Sequence, residues 1–164
     1  IHTDSTAHTA SAVPMSRRSE HMRGLVVGLK VAPRAGYAAP STAGARRLNL
    51  YAQERAGRLA AGGTQQSFVL QNGPNPPAPD SVVMPSSVIE LERGKPVRIM
   101  VHNRLREPTA VHWHGLEIES FPDGVPHWRG SGSQVFTEVA AQDSFATEFT
   151  PPRSGTYPYH SRLN

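Results

Sequence analysis

The segment Val111-His112-Trp113-His114-Gly115 has two histidines at alternate positions, directly before a glycine. In a β-strand, alternate side chains point to the same face and lie about 7 Å apart, so the two imidazoles share one face and Trp113 points to the other. We therefore expect Trp113 to lie in the core. A third histidine, His160, closes the distant segment Gly155-Thr156-Tyr157-Pro158-Tyr159-His160, also at the end of a predicted strand. A β-sandwich is the architecture that brings such segments together.

These three histidines predict a metal site. A neutral imidazole nitrogen is a good ligand for copper, zinc, nickel or iron near neutral pH. His112, His114 and His160 are therefore the candidate ligands, and the alternative is a polar strand face that merely contains histidines. The chain has no cysteine, which excludes disulfides, thiolate nucleophiles, Cys-ligated zinc and a blue-copper site.

The Asp123-Gly124 pair follows the first histidine segment closely and has two open interpretations. It is either only a turn, or its carboxylate relays protons or orients a bound water beside a metal. The other histidines are weaker candidates. His102 alternates out of the apolar face of its strand and is predicted to face solvent, His127 is predicted to lie in a surface loop, and His21 is predicted to be structural.

The rest of the pattern is that of short strands separated by Gly- and Pro-rich turns. Residues 97–102 alternate, with Val97, Ile99 and Val101 on one face, and residues 144–149 place Phe145, Thr147 and Phe149 together in the same way. Further strands are predicted at residues 48–52, 67–71, 88–91 and 110–115, with a loop at 55–66 and an irregular, proline-rich connection at 72–79. Together they predict an all-β, antiparallel sandwich.

Length and charge limit the remaining classes. The 164 residues suit one domain with extra segments, and the formal net charge is +4. The basic residues of the N-terminal part are neither interleaved with aromatic residues nor carried on a recognition helix, so no nucleic-acid partner is expected. The longest apolar run, residues 25–29, is too short to span a membrane, so no membrane partner is expected either.

With these motifs in hand, the chain resembles the multicopper oxidases, laccase-like enzymes built from repeated cupredoxin domains. The resemblance covers residues 46–164 and rests on four segments, Thr109-Ala110-Val111-His112-Trp113-His114-Gly115, Asp123-Gly124-Val125, Phe149-Thr150-Pro151-Pro152 and Gly155-Thr156-Tyr157-Pro158-Tyr159-His160-Ser161. It implies a cupredoxin-like Greek-key β-sandwich over residues 46–164, a linker at 37–45 and the remnant of a preceding cupredoxin-like domain at 1–36. We expect the sandwich to be incomplete at its C-terminus, because the family continues into at least one more strand.

The resemblance also assigns roles to the site residues. It implies that His112 is a type 2 copper ligand, that His114 and His160 are type 3 copper ligands, and that Asp123 is the acidic residue of the proton path to the oxygen-reducing cluster. The implied function is the copper-binding portion of an enzyme that oxidises a small reducing substrate and reduces O2 to water. Other cupredoxin domains or subunits would complete the cluster. A periplasmic or secreted location is implied, although no targeting segment is visible.

Three departures from the family pattern lower the activity that we expect. Arg162 occupies the position of a further histidine ligand, and a guanidinium cannot bind a metal. Pro158 removes a backbone donor from its strand. The segment His2-Thr3-Asp4-Ser5-Thr6-Ala7-His8 has the spacing of the type 1 copper segment without its cysteine. We therefore expect no type 1 site and little oxidase activity in the isolated chain. The alternatives are a non-catalytic copper- or zinc-binding module with an open three-histidine site, or a structural domain whose metal site has decayed.

Overall fold

Six β-strands make up the regular structure of the described part of the chain. The computed structural model describes residues 35–36, 38, 41–56, 63–71, 73–119, 121–124 and 138–161. The strands are β1 (Arg46–Arg55), β2 (Gln65–Gln71), β3 (Val97–Asn103), β4 (Val111–Trp113), β5 (Ser144–Phe149) and β6 (Tyr159–Ser161). From residue 38 onward the described residues belong to one compact unit, Ala38–Asn164. Most of the predicted N-terminal remnant, residues 1–34, lies outside the described residues.

The strands form two sheets. One sheet has the order β2-β1-β3-β5, and β4 pairs with β6 in the other. The β1–β2, β3–β5 and β4–β6 pairs are antiparallel, whereas β1 and β3 run parallel. Parallel neighbours need a long crossover connection, and here that connection contains β2. The predicted all-β class is confirmed. The parallel β1–β3 pair departs from the antiparallel pairing that the strand pattern predicts, and residues 88–91, predicted as a strand, form none. Across the described residues, no helix is long and apolar enough to cross a membrane.

The core is formed by the inward-facing residues of both sheets. Alternation places one face of β1 and one face of β3 inside, as predicted for residues 97–102. The core cluster consists of Leu48, Leu50, Ala52, Phe68, Val97, Ile99, Val101, Leu105, Val111, Trp113 and Phe149. Trp113 is only 4% exposed, and its ring lies 5.4 Å from that of Phe149 and 5.5 Å from that of Tyr159. The predicted core position of Trp113 is confirmed.

The outer edge of β2 is covered by the segment around Ser86 and Ser87. The hydroxyl oxygens of these serines accept hydrogen bonds from the backbone N–H groups of Phe68 and Leu70, each at 3.0 Å. The Ser87 N–H in turn donates to the Phe68 carbonyl at 3.0 Å. The Tyr159 hydroxyl donates to the Ser87 carbonyl, and burial raises the pKa of Tyr159 to about 12. This segment therefore closes a sheet edge that would otherwise be open to pairing and fastens β6 to it.

His102 lies on the outer face of β3, as its alternation predicts, but it is half-buried rather than solvent-facing. Its ring stacks on Tyr51 with a centroid distance of 4.4 Å and an interplanar angle of 13°. Its Nε2 donates to Asn49 Oδ1 at 3.1 Å. The predicted exposure was wrong because alternation identifies the face of a strand and not what packs onto that face. Burial, and next the charge of Arg104, lower the pKa of His102.

Candidate metal centre

Three histidines from β4, the turn after it and β6 lie together at one surface. Each of His112, His114 and His160 offers one ring nitrogen, and these atoms all lie within 4.8 Å of one another. The ring centroids are 5.5 Å apart for His112–His114, 5.4 Å for His112–His160 and 5.7 Å for His114–His160. The side chain of His112 is 17% exposed, and the other two residues are exposed.

The strand register explains why these residues meet. His112 and His160 are direct partners in the antiparallel β4–β6 pair, so their side chains stand beside each other. The His114 N–H donates to the Pro158 carbonyl at 2.9 Å, which holds the turn after β4 against the segment before β6. Pro158 precedes β6 rather than lying within it, so its missing N–H removes no bond within that strand.

His112 is oriented by the turn that carries Asp123. Its Nδ1 lies 3.1 Å from Asp123 Oδ1 and 3.3 Å from the Asp123 carbonyl oxygen. Both neighbours are acceptors, so in the neutral imidazole Nδ1 carries the proton and Nε2 keeps its lone pair. The Trp113 N–H also donates to Asp123 Oδ1, at 3.2 Å. A carboxylate that fixes the tautomer of a histidine is a common support of metal ligands.

The ring of His160 also carries its proton on Nδ1. Its Nδ1 donates to the Ser161 carbonyl at 2.8 Å, which leaves the lone pair on Nε2. That Nε2 lies 3.4 Å from Nδ1 of His114. Metal–imidazole bonds are about 2.0–2.1 Å long, so two nitrogens that share an ion lie roughly 3 Å apart. The spacing and the all-nitrogen donor set fit a transition metal such as copper or zinc.

The turn at Phe121–Gly124 requires glycine at its last position. Gly124 has a φ of 66°, and a Cβ built on it would lie 1.9 Å from the Val111 carbonyl oxygen. The absence of a side chain thus lets the turn approach the backbone of β4, which brings Asp123 within reach of His112. Asp123-Gly124 is therefore a turn whose carboxylate also contacts a candidate ligand, and the proton-relay role stays a prediction.

Several predicted positions fall outside this group. His102 lies on the four-stranded sheet, stacked on Tyr51. His21, His127, Arg162 and the His2–His8 segment lie outside the described residues. The alternation of residues 144–149 predicts that Thr147 shares a face with Phe145 and Phe149, but it does not predict that the Thr147 hydroxyl donates to the Pro122 carbonyl in the turn that carries Asp123. Alternation along a strand indicates the face on which a residue lies, and it does not indicate the hydrogen-bond partner of its side chain.

The profile of the multicopper oxidase family matches residues 60–164. The chain belongs to the multicopper oxidase family. It is 33% identical over 78 residues to Copper resistance protein A of Escherichia coli, covering 48% of this chain and 12% of that protein. It is 33% identical over 102 residues to Laccase-1 of Emericella nidulans, covering 61% of this chain and 14% of that protein. The chain thus spans a small part of the length of these relatives.

Solved structures of multicopper oxidases share the fold of this chain. The multicopper oxidase mgLAC superposes with a TM-score of 0.51 and 26% identity, over 73% of this chain and 33% of that one. The multicopper oxidase of Pseudomonas thermotolerans gives a TM-score of 0.51 and 24% identity, over 71% of this chain and 25% of that one. The sandwich is therefore of the cupredoxin type found in this family, and the family implies copper as the metal.

Proposed function

We propose that this chain is the copper-binding portion of a laccase-like multicopper oxidase, in which oxidation of a small reducing substrate is coupled to reduction of O2 to water. The observation that carries the proposal is the convergence of three imidazole nitrogens, from β4, its following turn and β6, within 4.8 Å. Family membership supports copper over other metals that imidazole binds. Bound copper would supply the electron-transfer and oxygen chemistry.

We assign the ligand roles from the family pattern and the orientation of each ring. His112 is the type 2 ligand through Nε2, because Asp123 occupies its Nδ1. His160 is a type 3 ligand through Nε2, because the Ser161 carbonyl occupies its Nδ1. His114 is a type 3 ligand through Nδ1, the atom that faces His160.

Asp123 is proposed to hold and move protons at the site. Its Oδ1 accepts hydrogen bonds from the His112 ring and the Trp113 backbone. Its side chain is 17% exposed, so it can exchange protons with solvent while it keeps the His112 ring in place. A carboxylate in this position suits general acid–base work.

The rest of the enzyme is proposed to come from other cupredoxin domains or subunits. Two of the three candidate ligands are exposed, so a second surface can add ligands to the same centre. The chain has no cysteine, and the type 1 copper through which electrons enter therefore has to be held elsewhere. We propose a remnant of a preceding domain at residues 1–36, a linker at 37–45, the cupredoxin-like domain at 46–164, and a periplasmic or secreted location.

The test is metal content and electron paramagnetic resonance of the full chain after reconstitution with Cu²⁺. We expect stoichiometric, non-blue, nitrogen-ligated Cu(II) that is lost in His112→Ala and retained in His102→Ala, since His102 lies on the other sheet. The proposal would be overturned if neither the unchanged chain nor His102→Ala bound copper above background. Stoichiometric zinc in place of copper would favour the non-catalytic metal-binding module instead.

A further inference from the structure

The turn that carries Asp123 is held from the opposite sheet. The Pro122 carbonyl oxygen, one residue before Asp123, accepts a hydrogen bond from Thr147 Oγ1 at 2.7 Å and another from Trp113 Nε1 at 3.2 Å. Thr147 lies on β5 of the four-stranded sheet and is 1% exposed. A residue of the sheet that does not contain β4 and β6 therefore fixes the backbone next to the carboxylate that orients His112.

A second residue of β5 contacts the same turn. Phe145, two positions before Thr147 on the same strand face, packs its ring edge-on against Phe121, with a centroid distance of 5.4 Å and an interplanar angle of 69°. Strand β5 thus touches the turn at its first residue through an apolar contact and at its second through a hydrogen bond. Of these two contacts, the hydrogen bond has a directional requirement and sets where the Pro122 carbonyl points.

A cavity of about 10 Å³, lined in part by Thr147, Pro122, Trp113 and Val111, lies beside the bond, and this is room for about one water molecule. Thr147 is β-branched, so its rotamer in the strand is restricted and its hydroxyl is presented in one direction. Valine has nearly the same shape and lacks the donor, which makes Thr147→Val a clean removal of the bond.

We propose that Thr147 is a positioning residue of the metal centre: through the Pro122 carbonyl it holds Asp123 against His112 Nδ1 and thereby keeps the Nε2 lone pair of His112 available to a metal. Both acceptors of His112 Nδ1, Asp123 Oδ1 at 3.1 Å and the Asp123 carbonyl oxygen at 3.3 Å, belong to this turn, so a displacement of the turn changes both contacts. The inference rests on the proposed function only for the identity of the metal that His112 binds.

The experiment reads the tautomer of His112 directly in the metal-free full chain, by nitrogen-15 nuclear magnetic resonance of the histidine side chains at a pH where the rings are neutral. In the unchanged chain we expect the Nδ1–H form. In Thr147→Val we expect the ratio of Nδ1–H to Nε2–H to fall by about threefold to tenfold, the effect of one ordinary hydrogen bond. Affinity for Cu²⁺ should fall by up to about tenfold, the lower end for a residue that supports a ligand.

Two variants separate positioning from general destabilisation. Thr147→Ser keeps the donor and should keep the tautomer of the unchanged chain. Thr109→Val removes another fully buried threonine hydroxyl, whose partner is Ser161, and should leave the His112 tautomer unchanged. Should Thr147→Val fail to fold, Thr147→Cys, with only a weak donor, is measured in its place with the same expected direction.

An unchanged His112 tautomer in Thr147→Val, or an equal change in Thr109→Val, would overturn the proposal. The tautomer is measured without metal, so its result stands whether or not the chain binds copper. Failure of the unchanged chain to bind Cu²⁺ would instead contradict the proposed function. The role of Thr147 would still be decided by the ratio of the two His112 tautomers.

Discussion

Replacement of Gly124 by alanine should damage both the stability of the fold and the metal centre. The residue has a φ of 66°, in the left-handed region, and a Cβ would lie 1.9 Å from the Val111 carbonyl oxygen and 2.8 Å from its carbonyl carbon. These are backbone atoms of β4, which cannot rotate away as a side-chain end can. The turn must therefore move off β4 and take Asp123 with it.

The magnitude follows from two separate costs. A left-handed conformation costs an L-residue roughly 1–2 kcal/mol. Relief of the contact with Val111 adds the loss of packing and hydrogen bonds around the turn, so that the total is about 3 kcal/mol or more, within the range of severe single substitutions. Gly94 is the matched control, because it has a φ of 75° and no atom within 4 Å of a built Cβ. Gly94→Ala should therefore cost about 1–2 kcal/mol.

The assay is urea denaturation of the full chain and of both variants, followed by tryptophan fluorescence. With a slope of about 1–3 kcal/mol per molar urea, we expect the Gly124→Ala midpoint to lie at least about 0.3 M below that of Gly94→Ala. Stoichiometric Cu²⁺ binding should be weakened in Gly124→Ala and kept in Gly94→Ala. Equal midpoints for the two variants would refute the argument that close approach to β4 requires glycine at position 124.

Two further predictions concern Tyr159 and His102. Tyr159→Phe should lower the free energy of unfolding by about 0.5–1.5 kcal/mol, because it removes the hydrogen bond to the Ser87 carbonyl. The control Tyr157→Phe loses only a surface hydrogen bond and should change the free energy of unfolding by less than about 0.5 kcal/mol. Chemical denaturation measures both variants, and equal losses would contradict the role of Tyr159. Burial and Arg104 lower the pKa of His102 in the folded state, so folding favours its neutral form. The stability that neutral His102 contributes is therefore fully present above pH 6.5 and is lost as the pH falls through the folded-state pKa. Denaturation from pH 8 to pH 5 should show a smaller loss in His102→Gln, and identical pH profiles would contradict this.

Alternation in the sequence was sufficient to predict much of the fold. Residues 97–102 and 144–149 became β3 and β5 with the expected faces inward, because a period of two is imposed by strand geometry itself. The parallel pairing of β1 and β3 was not predictable in this way. Alternation defines which face of a strand is buried but contains no information on the direction of its neighbour.

The candidate site was predictable as a set of residues and not as a geometry. The His-Trp-His-Gly motif and the resemblance identified His112, His114 and His160, and the structure brings them together. The tautomers could not be predicted, because they depend on the Asp123 carboxylate and on the backbone carbonyls of Asp123 and Ser161. The same holds for the bond from Thr147 to Pro122, which joins β5 to a turn 25 residues away in sequence.

The central claim is that His112, His114 and His160 are all copper ligands at one site. Pulsed electron paramagnetic resonance of the Cu²⁺-loaded full chain measures it most directly, because the modulation from the remote nitrogen of each bound imidazole can be counted. We predict histidine modulation at stoichiometric copper, reduced in each of His112→Ala, His114→Ala and His160→Ala and unchanged in His102→Ala. Copper whose imidazole modulation is the same in all of these variants would contradict the account.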